Sequence, residues 1–187
     1  MKKIRVAVTG ASGTIYARKV MEHILRSEDV EQIAVIFSRN GRAVMEYEKE
    51  KLPEDPRIRI FDNDDMFAAP ASGSAGYDAM AIVPCSVGSA GRIAAGISSD
   101  LIGRATDVML KERHRLVLVV RETPLSTIHL RNMTRLSECG AVILPACPSF
   151  YSRPADMEQL CDTVASRAAA MIGLHSARYD RQGKTID

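Results

Sequence analysis

Three runs in this chain, at residues 79–83, 116–120 and 141–144, are apolar without interruption, and a fourth at 32–37 holds a single glutamine. A strand that faces water on one side alternates apolar and polar residues; one that is apolar throughout is covered on both faces. Segments of helical period separate the runs, so the covers are helices and the strands run parallel. The expected fold is α/β: a three-layer Rossmann-like (flavodoxin-like), mostly parallel sheet with helices on both faces. Ile4, Val6 and Val8 alternate and give the first strand, and residues 58–61 a short further one. The spacing predicts helices from Ile15 to Ile24, through Met45 and Glu48, at about 89–97, over 101–111 and 127–138, and from a cap at Asp156 to Ile172. Asp100 is placed to cap the helix at 101, Gly140 and Gly173 to stop the helices before them, and Pro84 to break the third apolar strand. One domain over 1–174 and a polar tail over 175–187 account for all 187 residues, with no repeat and no linker.

Charge and cysteine usage exclude several classes. Twenty-five basic residues stand against twenty-three acidic, for a net +2, and no basic run dominates. That leaves no electrostatic footprint for nucleic acid or a membrane surface. Cys85, Cys139, Cys147 and Cys161 lie far apart with no C-x-x-C pair, so neither a zinc site nor a disulfide framework is expected. No apolar stretch approaches the roughly eighteen residues of a membrane span, and the first residues enter strand alternation directly, without a secretion signal. A reduced, cytoplasmic protein is the expectation.

Ligands of such sheets bind beyond the carboxyl ends of the strands, so the residues that follow each strand are the candidates. They are Gly10, Ala11 and Ser12; Ser38 and Arg39; Cys85 and Ser86; Arg121 and Glu122; and Phe150 to Arg153, with Tyr151 among them. Backbone N–H groups at a glycine turn bind anions, and Ser12 adds a hydroxyl, which points to a phosphate-bearing cofactor. The same residues also build ordinary strand–helix turns; three such loops on one edge favour the ligand. A dinucleotide site needs G-x-G-x-x-G and an acid after the second strand. Here Gly10-x-x-Gly13 and Ser38 stand in those places, which disfavours NAD, leaves NADP open through Arg39, and suits FMN better.

Arg104 and Lys111 lie seven apart on one helix face, and Arg121 and Arg167 add cations from elsewhere. Four cations without matching acids in their motifs could hold a second phosphate; the alternative is a solvated helix face. The run Asp62-Asn63-Asp64-Asp65 reads as an exposed acidic loop rather than a magnesium motif. Cys85 reads as a small buried hydrophobe rather than a nucleophile, and His129 as the partner of a local hydrogen bond.

Several blocks resemble the UbiX/Pad family of flavin prenyltransferases. They are Thr9-Gly10-Ala11-Ser12-Gly13, Pro70-Ala71-Ser72-Gly73-Ser74, Pro84-Cys85-Ser86, Leu110-Lys111-Glu112-Arg113, Arg121-Glu122-Thr123-Pro124-Leu125 and Phe150-Tyr151-Ser152-Arg153-Pro154. The resemblance runs from residue 4 to about 174. It implies transfer of a dimethylallyl group, usually from dimethylallyl monophosphate, to N5 and C6 of reduced FMN, without a metal. The product, prenylated FMN, serves a UbiD-type decarboxylase, and family members are homo-oligomers, commonly dodecamers. By match of motif, Gly10, Ala11, Ser12, Ser38, Ser86, Val87, Gly88, Ser89 and Arg121 hold FMN. Glu48, Arg104, Lys111, Tyr151 and Arg167 surround the donor phosphate and are expected to converge on one anion site. Ser12 and Glu122 handle the proton of ring closure, with Glu48, Lys111 and Tyr151 also counted as catalytic.

Two features depart from the family pattern. Members often carry a tryptophan in the C-terminal tail, whereas this chain has none and its place falls near Gln182, with Tyr179 the nearest aromatic. Ser152 stands where many members have histidine. The rival readings are a flavin-dependent decarboxylase of the same fold, which uses a catalytic His and an Asn-bearing P-x-M-N block not clearly present here, and a flavin carrier without chemistry. The carrier becomes credible only if Glu48, Lys111 and Arg167 do not meet around one pocket.

Overall fold

A computed structural model of the chain describes residues 1–174 and two short strands, β7 (Arg178–Tyr179) and β8 (Thr185–Ile186), paired antiparallel. The expected tail and the place of the absent tryptophan fall otherwise outside the described residues. Six parallel strands form the sheet: β1 (Lys2–Val8), β2 (Val30–Phe37), β3 (Ile58–Phe61), β4 (Ala79–Cys85), β5 (Arg115–Val120) and β6 (Val142–Pro145). Their order is β3-β2-β1-β4-β5-β6. The chain therefore builds outward from β1 to one side, then returns to β4 and builds outward to the other. That reversal opens a crevice at the carboxyl ends of β1 and β4.

Right-handed crossovers fix which face each helix covers. Helix α1 (Thr14–Leu25) and Met45 of α2 (Arg39–Tyr47) pack on one face, joined later by α6 (Met157–Met171). Helices α3 (Val87–Ala94), α4 (Leu101–Lys111) and α5 (Thr127–Glu138) cover the other. Alternate residues of each inner strand feed the two cores: Val6, Ala81 and Val117 the first, Ala7, Ile82 and Leu118 the second. Fully burying such a Val, Leu or Ile stabilises by about 1.5–3 kcal/mol, which is why uninterrupted apolar strands were required.

Helix ends follow the caps read from sequence. Asp100 accepts from Gly103 N at 2.8 Å, and Asp156 from Gln159 N at 2.7 Å. Three local expectations need correction. Strand β1 does not alternate between core and solvent, because Arg5 and Ala7 are buried as fully as Ile4 and Val6. Strand β4 runs through Pro84 to Cys85, since the Pro84 carbonyl accepts from Thr9 and so keeps the end of β4 tied to β1. Helix α3 starts at Val87, not Ser89, because Ser86 is its cap. The acidic loop has a structural duty: Asn63 accepts Leu101 N at its carbonyl and Ile102 N at Oδ1, closing the start of α4.

Candidate functional site

Loops at the carboxyl edge are tied into one unit by short bonds, two of them through a single threonine. Thr9 Oγ1 donates to the Pro84 carbonyl at 2.8 Å and accepts Ser86 N at 2.8 Å. Ser38 N donates to the Val8 carbonyl at 3.0 Å, and Arg121 N to that of Cys85 at 3.1 Å. Close approach makes the glycines necessary. A Cβ on Gly10 would lie 2.5 Å from Asn40 Cβ, and one on Gly41 2.2 Å from the Val8 oxygen. Ser38 caps α2 through Gly41 N, and Ser86 caps α3 through Ser89 N while donating to Ser89 Oγ. A Cβ on Gly88 would meet nothing within 4 Å, so the first turn of α3 presents its backbone openly. Gly10, Ala11, Ser12, Ser38, Ser86, Val87, Gly88, Ser89 and Arg121 thus stand on one edge, with small side chains and N–H donors that suit a flat, phosphate-bearing cofactor.

Glu48 stands on this edge too, in an unexpected role. Helix α1 begins at Gly13, whose φ of 99° is left-handed and which has no side chain to cap with. Glu48, at the end of α2, caps it instead: its carboxylate accepts Gly13 N at 2.9 Å, Thr14 N at 2.7 Å and Thr14 Oγ1 at 2.6 Å. Burial pushes this carboxyl up, but the bonds from Thr14, Ser12 and Gly13 more than reverse that and hold it below the usual range. Within the chain, Glu48 is thus a helix cap that orders the Ser12 loop. Ser12 is accordingly paired with Glu48, while Glu122 Oε1 accepts Thr123 N at 2.9 Å.

Within one chain the donor-phosphate cations do not converge. Arg104 and Lys111 belong to α4, on the opposite face of the sheet from α1 and α6. Lys111 closes α4 four residues before β5 begins, so it stands at the amino end of the sheet, whereas Ser12 is at the carboxyl end. The two cations also have acids of their own: Arg104 bonds Asp107 at 2.8 Å, and Lys111 pairs with Glu112. Spacing within a helix could show their shared face but not which side of the sheet that face would meet. Tyr151 and Arg167 are exposed, Arg167 on the side of α6 turned away from its packed residues.

A pocket of about 430 Å³ lies elsewhere, beside β3, lined by Phe37, Met45, Leu52, Ile58 and Ile60. Its charged lining is mixed, Glu46, Glu50, Glu54 and Asp55 against Arg42 and Lys51, a net acidic setting that suits phosphate less well than the open N–H groups of the carboxyl edge. Cys85 is fully buried and its thiol is pushed up to about 12 by burial, as befits a core residue. His129 Nδ1 accepts Ser126 N at 3.2 Å in a capping box, a local hydrogen bond as expected. Among the described residues no group of three or more His, Cys, Asp or Glu is arranged to hold a metal ion.

Residues 1–172 match the family model described as Flavoprotein. The UbiX flavin prenyltransferase of Pseudomonas aeruginosa is 40% identical, over 98% of this chain and 95% of its own. The chain belongs to the flavin prenyltransferase family. A crystal structure of a UbiX protein in complex with FMN and dimethylallyl pyrophosphate is 41% identical with TM-score 0.85, covering 92% of this chain and 93% of that one. A dodecameric FMN-dependent UbiX-like decarboxylase from Escherichia coli O157:H7 is 34% identical with TM-score 0.86, covering 95% and 98%.

For a flavin prenyltransferase fold, the parts that three side chains play in building this edge are not written in the sequence. Thr9 is buried and its hydroxyl joins two loops, a role signalled only by its place directly after β1. Thr14 completes the Glu48 cap, and Asn40 walls Gly10. Thr9 opens the Thr9–Gly13 block, but none of the three carries a charge, and only the fold shows what their side chains meet.

Proposed function

We infer that this chain is a flavin prenyltransferase that joins a dimethylallyl group, carried on a phosphate ester, to reduced FMN. The observation that carries the reading is the stitched carboxyl edge, in a chain about two-fifths identical to flavin prenyltransferases along nearly its whole length. The bland rival, a flavin carrier, fits the edge equally but not the RETPL and FYSRP blocks that follow β5 and β6.

The residues that would hold FMN are Gly10, Ala11, Ser12, Ser38, Ser86 to Ser89 and Arg121. Reduced FMN, when bound, supplies the nucleophile for the allyl group. The chain's own residues then have three tasks. The leaving phosphate needs cations away from the allyl carbon, where positive charge develops. Arg104 and Lys111 serve this from a neighbouring copy, since in their own chain they stand on the far face; the dodecameric relative makes such a neighbour available. Each close ion pair at a surface is worth on the order of 4 kcal/mol before desolvation. Tyr151 donates its hydroxyl proton to the leaving oxygen, and Arg167 adds charge beside it. Glu122, next to the flavin-gripping Arg121, accepts the proton released at ring closure.

Prenylated FMN would pass to a UbiD-type decarboxylase. Four free cysteines fit a reducing, cytoplasmic setting. The test is mass spectrometry of flavin after anaerobic incubation with reduced FMN and either dimethylallyl monophosphate or the pyrophosphate. A product heavier by one five-carbon unit with either donor supports the reading and identifies the donor. Unchanged flavin with both donors, in protein that binds FMN, leaves the carrier as the correct account.

A further inference from the structure

Strand β1 buries a cation that, among the described residues, has no acid paired with it. Arg5 is 1% exposed, between the apolar Ile4 and Val6. Its Nη1 donates to Met109 Sδ at 2.7 Å, its Nη2 to the Ser72 carbonyl at 3.1 Å, and its guanidinium carbon lies 4.3 Å from the centre of the Tyr77 ring. Nε has no hydrogen-bond partner among the described residues. Burial drives its pKa down to about 10, against the opposing pull of Tyr77. An isolated buried cation is costly, and an apolar side chain of similar length is often as stable or more so. Stability alone gives no reason for arginine here.

What a guanidinium does that an apolar chain cannot is bond two elements at once. Met109 is on α4, between Arg104 and Lys111; Ser72 is in the turn that follows the short helical segment Ala69–Ala71. The adjoining carbonyl, Ala71 O, accepts Arg104 Nε at 3.1 Å. One residue further on, Gly73 packs on Glu112, the acid that holds Lys111: a Cβ there would lie 2.6 Å from Glu112 Oε1. Lys3 Nζ, also on β1, reaches the Ala75 carbonyl at 3.5 Å. Both surface cations of α4 are therefore set against a single turn, and Arg5 is the buried tie between that turn, α4 and the sheet.

We propose that Arg5 is a positioning residue for donor binding: it fixes α4 and the 71–75 turn together and so sets where Arg104 and Lys111 present their charge to the neighbouring copy. This rests on the reading of those two residues as donor-phosphate ligands. Arg5 lies in the middle of β1 under α4, outside the loops at the carboxyl edge.

Steady-state kinetics under anaerobic conditions test it, with Arg5→Met, Arg5→Lys and, as reference, Lys111→Met. For Arg5→Met the expected result is a donor KM raised about tenfold, with kcat and FMN affinity within about twofold of the parent and an unchanged or higher melting temperature. Arg5→Lys, which keeps the charge but not the double bond, should fall between; it carries the test if Arg5→Met does not fold. A donor KM within about twofold of the parent, while Lys111→Met raises it, overturns the role of Arg5 alone. So does a KM that rises only in step with lost stability. A Lys111→Met enzyme with the parent's donor KM overturns the donor-site reading, and this inference with it.

Discussion

At the carboxyl edge, Thr9, Ser38, Ser86 and Arg121 are bonded to the ends of neighbouring strands within one chain; on α4, Arg104 and Lys111 are bonded only to acids on or next to their own helix and to a surface turn. The first region uses backbone hydrogen bonds, so its geometry is set when the sheet forms. The second holds long charged side chains at the rim, in water, where an ion pair is worth little until a ligand or another chain excludes solvent. A flavin site can be preorganised by one chain because it needs donors and space. A site for a phosphate leaving group needs several cations close together, and in this chain Arg104 and Lys111 of α4 stand on a different face from Arg167 of α6.

The largest test of that contrast is at Glu122, where the two regions would meet. Glu122→Gln should keep FMN affinity and melting temperature while lowering turnover by at least about a hundredfold, the usual scale for a lost general base. Anaerobic turnover beside flavin titration reads both; parent-level turnover would leave Glu122 a surface residue. Next is complementation between copies. Tyr151→Phe and Lys111→Met should each be weak alone, by about tenfold or more in donor kcat/KM, and partly restored when mixed under conditions that exchange subunits. No restoration in exchanged mixtures would place both residues in one chain's site.

Smaller effects sharpen the first region. Thr9→Val removes the hydroxyl that serves Ser86 N and Pro84, leaves a buried donor unpaired, and should cost about 1–3 kcal/mol in urea unfolding, with weaker FMN binding. The corresponding loss on α4, in Arg104→Met, should be well under that, because its ion pair with Asp107 is exposed. The smallest effect is on the acid limb. The Glu48 carboxyl is held below its unfolded value, so its stabilisation is complete above the ordinary carboxylate range and is lost as pH falls through the folded value. Glu48→Gln should therefore flatten the fall of melting temperature below about pH 5. An unaltered acid limb would mean that the cap contributes no pH dependence.

The uninterrupted apolar runs determined by themselves that the sheet is parallel and covered twice, and capping residues such as Asp100 and Asp156 placed helix starts, because periodicity and caps are local properties. The loops after the strands were legible for the same reason: a parallel sheet brings every strand's carboxyl end to one edge. What tertiary structure alone decided is which groups meet across that sheet. Glu48 and Arg104 both matched a phosphate site by motif; the fold shows Glu48 reaching from the end of α2 to cap the start of α1, and Arg104 on the opposite layer. Nor could alternation in β1 show that Arg5 would be buried, since the polar position of a strand is solvated only if no helix lies over it, and α4 does. Charge, unlike hydrophobicity, carries no period in sequence that says what it will face. That follows from the crossover that carries α3 and α4 to one face and α1 and α6 to the other.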